Sequence, residues 1–165
     1  MNGENMVESS ILKSLTFFDE MSDDMIRRLA DIAKIREYNE GELLGKQRRE
    51  AKHISMVLEG EISLEFESLT GKLVRVETIV SGGTIGISSL IEIEDKTYMS
   101  DARALVSPTR VLEFLASDLM LLFYQDFELG FLFMRQIARV AKRRLMYRTH
   151  LIPQILALPK NDTWT

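Results

Sequence analysis

Apolar positions recur at helical spacing along the early part of the chain: Met25, Ile26, Leu29, Ile32 and Ala33 share one face. Ser22 followed by Asp23 and Asp24 marks the start of that helix, and Leu15, Phe17 and Phe18 read as an extended approach to it. The period then changes from helix to sheet. Ile35 to Leu44 reads as strand, turn at Gly41, strand, and His53–Leu58 and Ile62–Phe66 as two strands joined at Glu59-Gly60-Glu61, the second alternating clearly. Thr70-Gly71-Lys72 is a further turn before a strand over Leu73–Val80. A Gly-rich loop, Ser81–Gly86, leads into Ile87–Ile91, and strands resume at Thr97–Val106 and Arg110–Leu115 with Pro108 at the turn. From Ser117 the pattern is helical, with a break near Asp126 and a long helix over Phe127–His150, after which Pro153 and Pro159 end regular structure.

The elements predict a mainly β chain with flanking helices: a short helix, about eight short strands punctuated by glycine, then two helices. We divide it into a flexible stretch 1–10, a β-roll domain 11–126, a long C-terminal helix 127–150 and a tail 151–165. With 165 residues the chain is long enough to bury one core without covalent staples. Cysteine is absent, which removes disulfides, thiolate metal sites and cysteine nucleophiles. The first ten residues carry Glu4 and Glu8 and match neither a secretory signal nor a transit peptide. The most apolar stretch, Val111–Met134, is interrupted by Glu113, Asp118, Asp126 and Glu128, so no membrane association is expected and the location is read as cytoplasmic.

Net charge is -4, giving no global reason to expect nucleic-acid binding, yet Arg135, Arg139, Lys142, Arg143, Arg144 and Arg148 follow one another without an intervening acid. On the long helix Phe133, Ile137, Val140 and Ala141 form an apolar stripe with Arg144 within it, opposite the basic face.

The order of elements resembles the cyclic nucleotide-binding domain of catabolite-activator-type regulators, protein kinase A regulatory subunits and gated channels, a β jelly roll with an N-terminal helix and two C-terminal helices. The matching residues are Leu15-Thr16-Phe17-Phe18, Tyr38-Asn39-Glu40-Gly41-Glu42, Val57-Leu58-Glu59-Gly60-Glu61-Ile62, Thr70-Gly71-Lys72 and Gly82-Gly83-Thr84-Ile85-Gly86. They run in the family's order over about 11–147. The bland reading of the same glycines is turn geometry in an unrelated β-sandwich, since glycine serves any turn that needs a positive φ.

The resemblance implies a pocket in which a Gly-rich loop and a helical turn offer backbone N–H groups to a cyclic phosphate. Here that is Gly86-Ile87-Ser88-Ser89. The family's ribose-binding Glu falls at Ile87, and its phosphate-binding Arg-Ala/Ser pair falls at Tyr98-Met99. Both charges are missing. Lys96 has the strand parity of Tyr98 and is the remaining cation able to face the same pocket, whereas Arg103 has the opposite parity and is expected outward or in an ion pair.

The implied function is a non-enzymatic regulatory sensor domain with a degenerate phosphate cassette; cyclic nucleotide is a ligand that the missing charges disfavour, and no other cofactor is implied. The alternatives are a dimerisation or protein-interaction module on the same fold, or a true cyclic nucleotide-binding protein if the cassette alignment shifts within Glu92–Lys96. A cavity filled by Ile87, Tyr98 and Met99 would favour the interaction module. The expected partners are a homodimer mate along the stripe Phe133, Ile137, Val140, Ala141 and Arg144, a small-molecule effector, or an unidentified protein; the alternative for the stripe is that it packs on the chain's own β-domain. The residues after Tyr147 are too few for a helix-turn-helix, so no DNA-binding domain is expected.

No catalytic or metal site is assigned. His53 and His150 lack ligand spacing, the Gly-rich loop lacks the Lys-Ser/Thr of a P-loop, and Asp23-Asp24 fits a helix cap.

Overall fold

A computed structural model describes residues 6–91 and 95–156. Two short N-terminal elements open it, α1 (Ser9–Lys13) and a 3-10 turn (Thr16–Phe18), followed by α2 (Asp23–Ile32), whose N-cap Ser22 Oγ accepts from Met25 N–H at 3.3 Å. Eight strands follow: β1 (Ala33–Tyr38), β2 (Leu43–Gly45), β3 (His53–Glu59), β4 (Ile62–Glu67), β5 (Leu73–Ile79), β6 (Thr84–Ile85), β7 (Asp101–Ala104) and β8 (Thr109–Leu115). Two helices close the chain, α3 (Ala116–Gln125) and α4 (Phe127–Leu156).

The strands make two antiparallel four-stranded sheets, β1-β8-β3-β6 and β2-β7-β4-β5, facing each other as a β-roll. β3 explains why its sequence reads as a nearly unbroken apolar run, because both of its faces are covered. Ile54 and Met56, beside Phe114 and Leu112 of β8, face the helices, while Val57, beside Val111, faces the interior of the roll with Ile62, Leu64, Ile79, Ile85 and Ala102. Two cores result, one between the first sheet and the helices and one inside the roll. Gly60 closes the β3–β4 turn at φ +90, with its Cα so close to Thr109 that a Cβ would lie 2.5 Å from that hydroxyl.

Several expectations need correction. The approach to α2 is not extended: Phe17 and Phe18 sit in a 3-10 turn, which brings both rings inward against Phe133 at 4.9 and 6.3 Å. The flexible stretch 1–10 is not borne out over its described part, since Val7 is buried and α1 begins at Ser9. No strand spans Thr97–Ser100. Thr97 makes only a bridge with Glu50, and Tyr98 exchanges backbone hydrogen bonds with Arg48 and Arg49, a stretch bent by the positive φ of Arg48. The backbone of α4 continues through Pro153 to Leu156, so the first of the two prolines sits within the last helical turns rather than ending them; Pro159 lies outside the described residues.

Two polar positions of β4 are also not solvent-facing. Ser63 and Glu65 are 0% and 5% exposed. Ser63 Oγ donates to Glu65 Oε1 at 2.9 Å and accepts from Arg75 Nε at 2.9 Å, and Arg103 Nε donates to Glu65 Oε2 at 3.0 Å. The arginine stems roof the sheet, and the carboxylate beneath them is satisfied. Arg103 is therefore in an ion pair on the outer face.

Candidate functional site

The roll opens at one end into a cavity of about 240 Å³ beneath α4. β2 contributes Leu44 and Gly45, β3 contributes His53 and Ser55, β4 contributes Leu64, and the loop after β6 brings Gly86, Ile87 and Ser88. Tyr98, Met99 and Ser100 form the opposite lip, and α4 closes the top with Ala141, Arg144, Leu145 and Arg148.

Gly86 shapes the loop. It has φ +79 and ψ 23 at the head of a 3-10 turn, Ile87–Ser89, and a Cβ there would lie 2.3 Å from the His53 carbonyl oxygen. Only a residue without a side chain permits that approach. Ile87 then reaches both the cavity and the core under the helices. Ser88 lines the cavity; Ser89 does not, because it is fully buried with its hydroxyl donating to the Gly86 carbonyl at 2.7 Å.

Tyr98 is the strongest single occupant of the wall. Its ring lies over Gly45, where a Cβ would be 3.4 Å away, and its Oη accepts from His53 N–H at 3.2 Å. Burial raises the pKa of the phenol, which stays a neutral hydrogen-bonding group. Met99 is exposed at the rim. Lys96 is not part of the lining; its carbonyl accepts from Ala51 N–H on the strand-like stretch outside the cavity. Of the sequence-selected pocket residues, Gly86, Ile87, Ser88, Tyr98 and Met99 come together, and Ser89 and Lys96 do not.

The stripe expected to meet a twofold mate is occupied within the chain. Phe133, Ile137 and Val140 are buried in the core between α4 and the first sheet, packed with Phe17, Phe18, Phe114 and Phe123. Ala141 and Arg144 face the cavity instead. Arg144 finds its carboxylate in the same chain: its Nε lies 3.2 Å from Glu77 Oε2 on β5, and the guanidinium also donates to the Thr84 carbonyl. Burial lowers the pKa of Arg144, with Glu77 opposing that shift.

Arg148, one turn further along, was missed by sequence reasoning as a cavity residue. Its guanidinium lies over the Phe66 ring at 5.6 Å, and its Nε is shielded from solvent without a hydrogen-bond partner among the described residues. The signal was present, since Arg144 interrupts an apolar stripe and Arg148 follows at i+4. The wheel alone does not say what lies beneath it.

No group of three or more His, Asp or Glu side chains able to hold a metal occurs among the described residues, and no helix there is long and apolar enough to cross a membrane.

A double four-stranded roll, closed by helices and hollow under the last of them, is a sensor-domain fold. A model of the cyclic nucleotide-binding domain matches residues 35–126, which is more than half of the chain, and the chain belongs to that family. A solved protein of Geobacter metallireducens GS-15 named for cyclic nucleotide binding is 27% identical, with 85% of this chain and 99% of that one covered at a TM-score of 0.74. A cyclic nucleotide-binding domain from Methylobacillus flagellatus shares the fold at 16% identity, covering 91% and 83% at a TM-score of 0.76. The catabolite activator protein of Thermus thermophilus does so at 18% identity, covering 84% of this chain and 62% of that one at 0.68. No curated protein sequence matches the chain.

Proposed function

We propose that the chain is a non-enzymatic regulatory sensor domain whose cavity has lost tight binding of cyclic AMP and cyclic GMP. One observation carries this reading: Ile87 and Tyr98, where the family places its ribose carboxylate and phosphate guanidinium, both line the cavity, and the Tyr98 hydroxyl is engaged with the His53 backbone. Losing a charge-assisted hydrogen bond to an anion costs roughly 1.5–3 kcal/mol, or one to two orders of magnitude in affinity. Lys96 offers no replacement from the lining, and the cations that do line the cavity, Arg144 and Arg148, come from α4 rather than from the strand that carries the family's Arg. Isothermal titration with both nucleotides tests the reading, and micromolar or tighter binding of either overturns it.

The cavity keeps its volume despite Ile87, Tyr98 and Met99, which favours a sensor over a pure interaction module. A second reading coexists with it. Tyr124, Phe127 and Phe131 are 70%, 77% and 62% exposed at the α3–α4 junction, and Phe131, Ala138 and Leu145 are exposed at seven-residue spacing along α4. A homodimer through α4 would use these residues, not the internal stripe. Sedimentation velocity tests it: a monomer at tens of micromolar rules the dimer out.

A further inference from the structure

We propose that the cavity takes a small organic monocarboxylate with an apolar body, its carboxylate held by Arg148 and its body lying against Leu44, Leu64, Ile85 and Ile87. This rests on the reading that cyclic nucleotides are not the ligand.

The charge of the lining selects the head group. Among the described residues two arginines line the cavity and no Asp or Glu does. Arg144 is answered by Glu77 and the Thr84 carbonyl, leaving Arg148 as the lining cation without a carboxylate among the described residues. One unanswered positive charge calls for one negative charge, so a dianion would enter half-neutralised. The Arg148 guanidinium lies over the Phe66 ring at 5.6 Å, a contact that uses no N–H donor and so leaves donors for a planar, two-oxygen acceptor.

The walls select the rest of the molecule. Leu44, Leu64, Ile85, Ile87, Ala102 and Ala141 make most of the surface apolar. Against them stand three serine hydroxyls, His53 and the already engaged Tyr98. A sugar buried here would leave hydroxyls without strong acceptors, each at a cost of about 1–3 kcal/mol. An aliphatic or aromatic body has nothing to leave unsatisfied. The volume of about 240 Å³ lies below the ~300–1,000 Å³ of pockets that hold drug-sized ligands, which limits the body to a short chain or single ring.

The test uses the full chain with hexanoate and benzoate as probes, hexanamide and benzamide as their uncharged matches, and cyclic AMP and cyclic GMP in parallel, all followed by amide chemical shifts and calorimetry. The acids should bind at the Gly86 loop and α4, the amides about ten-fold or more weaker. Arg148→Gln should lose about ten-fold or more in acid affinity, Arg148→Lys should keep part of it, and an unchanged melting temperature of both variants shows that the fold survives. Equal binding of acids and amides, full acid affinity in Arg148→Gln, or no acid binding at millimolar concentration each overturns the proposal. If the acids and both nucleotides fail together, only this proposal falls; micromolar nucleotide binding brings down the earlier reading with it.

Discussion

The phenol of Tyr98 and the backbone of His53 form a two-way contact: the His53 N–H donates to Tyr98 Oη at 3.2 Å, and the hydroxyl lies 3.4 Å from the His53 carbonyl oxygen. A segment with little regular structure is thereby tethered to the edge of β3. Tyr98→Phe should cost about 0.5–1.5 kcal/mol, read as a lower urea midpoint. Burial raises the folded-state pKa of this phenol, so its contribution is full below the unfolded value of about 10 and is lost as pH rises through the folded one. The alkaline decline in stability should be shallower in Tyr98→Phe.

Placing a carboxylate and a guanidinium where the family carries them should recover nucleotide binding. The double variant Ile87→Glu, Tyr98→Arg is expected to raise affinity for cyclic AMP by about ten-fold or more over the native chain, measured by calorimetry. An unchanged affinity in a folded variant would show that the cassette is aligned elsewhere.

Glu77→Ala should leave Arg144, whose side chain is 13% exposed, without its carboxylate. The expected loss is about 1–3 kcal/mol, with faster amide exchange over the second half of α4 than over α2. Exchange that rises uniformly would mean that Glu77 supports the sheet and not the helix.

Asp126 joins α3 to α4 and caps the latter: its Oδ1 accepts from Leu129 N–H at 3.0 Å while its other oxygen meets Arg28. The Leu129 N–H first, and Arg28 after it, hold the carboxyl below the ordinary aspartate range. The folded pKa is thus depressed, so this stabilisation is present above about 3.9 and disappears as pH falls through the folded value. Asp126→Asn should flatten the acid limb of the stability curve, measured by thermal melts between pH 2 and 5, a window set by that direction of shift.

Gly86→Ala meets both a left-handed backbone and the His53 carbonyl. Destabilisation above about 1 kcal/mol is expected, together with shifted amide resonances for Ile87 and Ser88. A silent substitution would show that the loop is free to move off β3.

The roll was legible because its turns carry glycine at the required places and its strands differ in period from its helices. Legibility stopped where polarity and exposure part company. Alternation along Ile62–Phe66 correctly indicated a strand, but Ser63 and Glu65 are polar and buried, since Arg75 and Arg103 arrive from other strands to cover them. The cavity shows the same limit. Gly86, Ile87 and Tyr98 were found through the family resemblance, whereas Arg148 belongs to the site only because α4 folds back over the roll, a placement that no local pattern encodes. The internal position of Phe133 and Ile137 was hidden for that reason too: an amphipathic stripe declares that it needs a partner and is silent on whether the partner is another molecule or its own chain.

Phe17 and Phe133 stack edge to face at 4.9 Å, and Glu20 pairs with Arg135 and Arg139, so the earliest and latest elements of the chain complete one another. On a ribosome, which delivers the N-terminus first, Phe17 emerges more than a hundred residues before the Phe133 ring on which it stacks. The roll can therefore form with Phe17 still lacking its α4 partner, and that contact closes only once the long helix has been made.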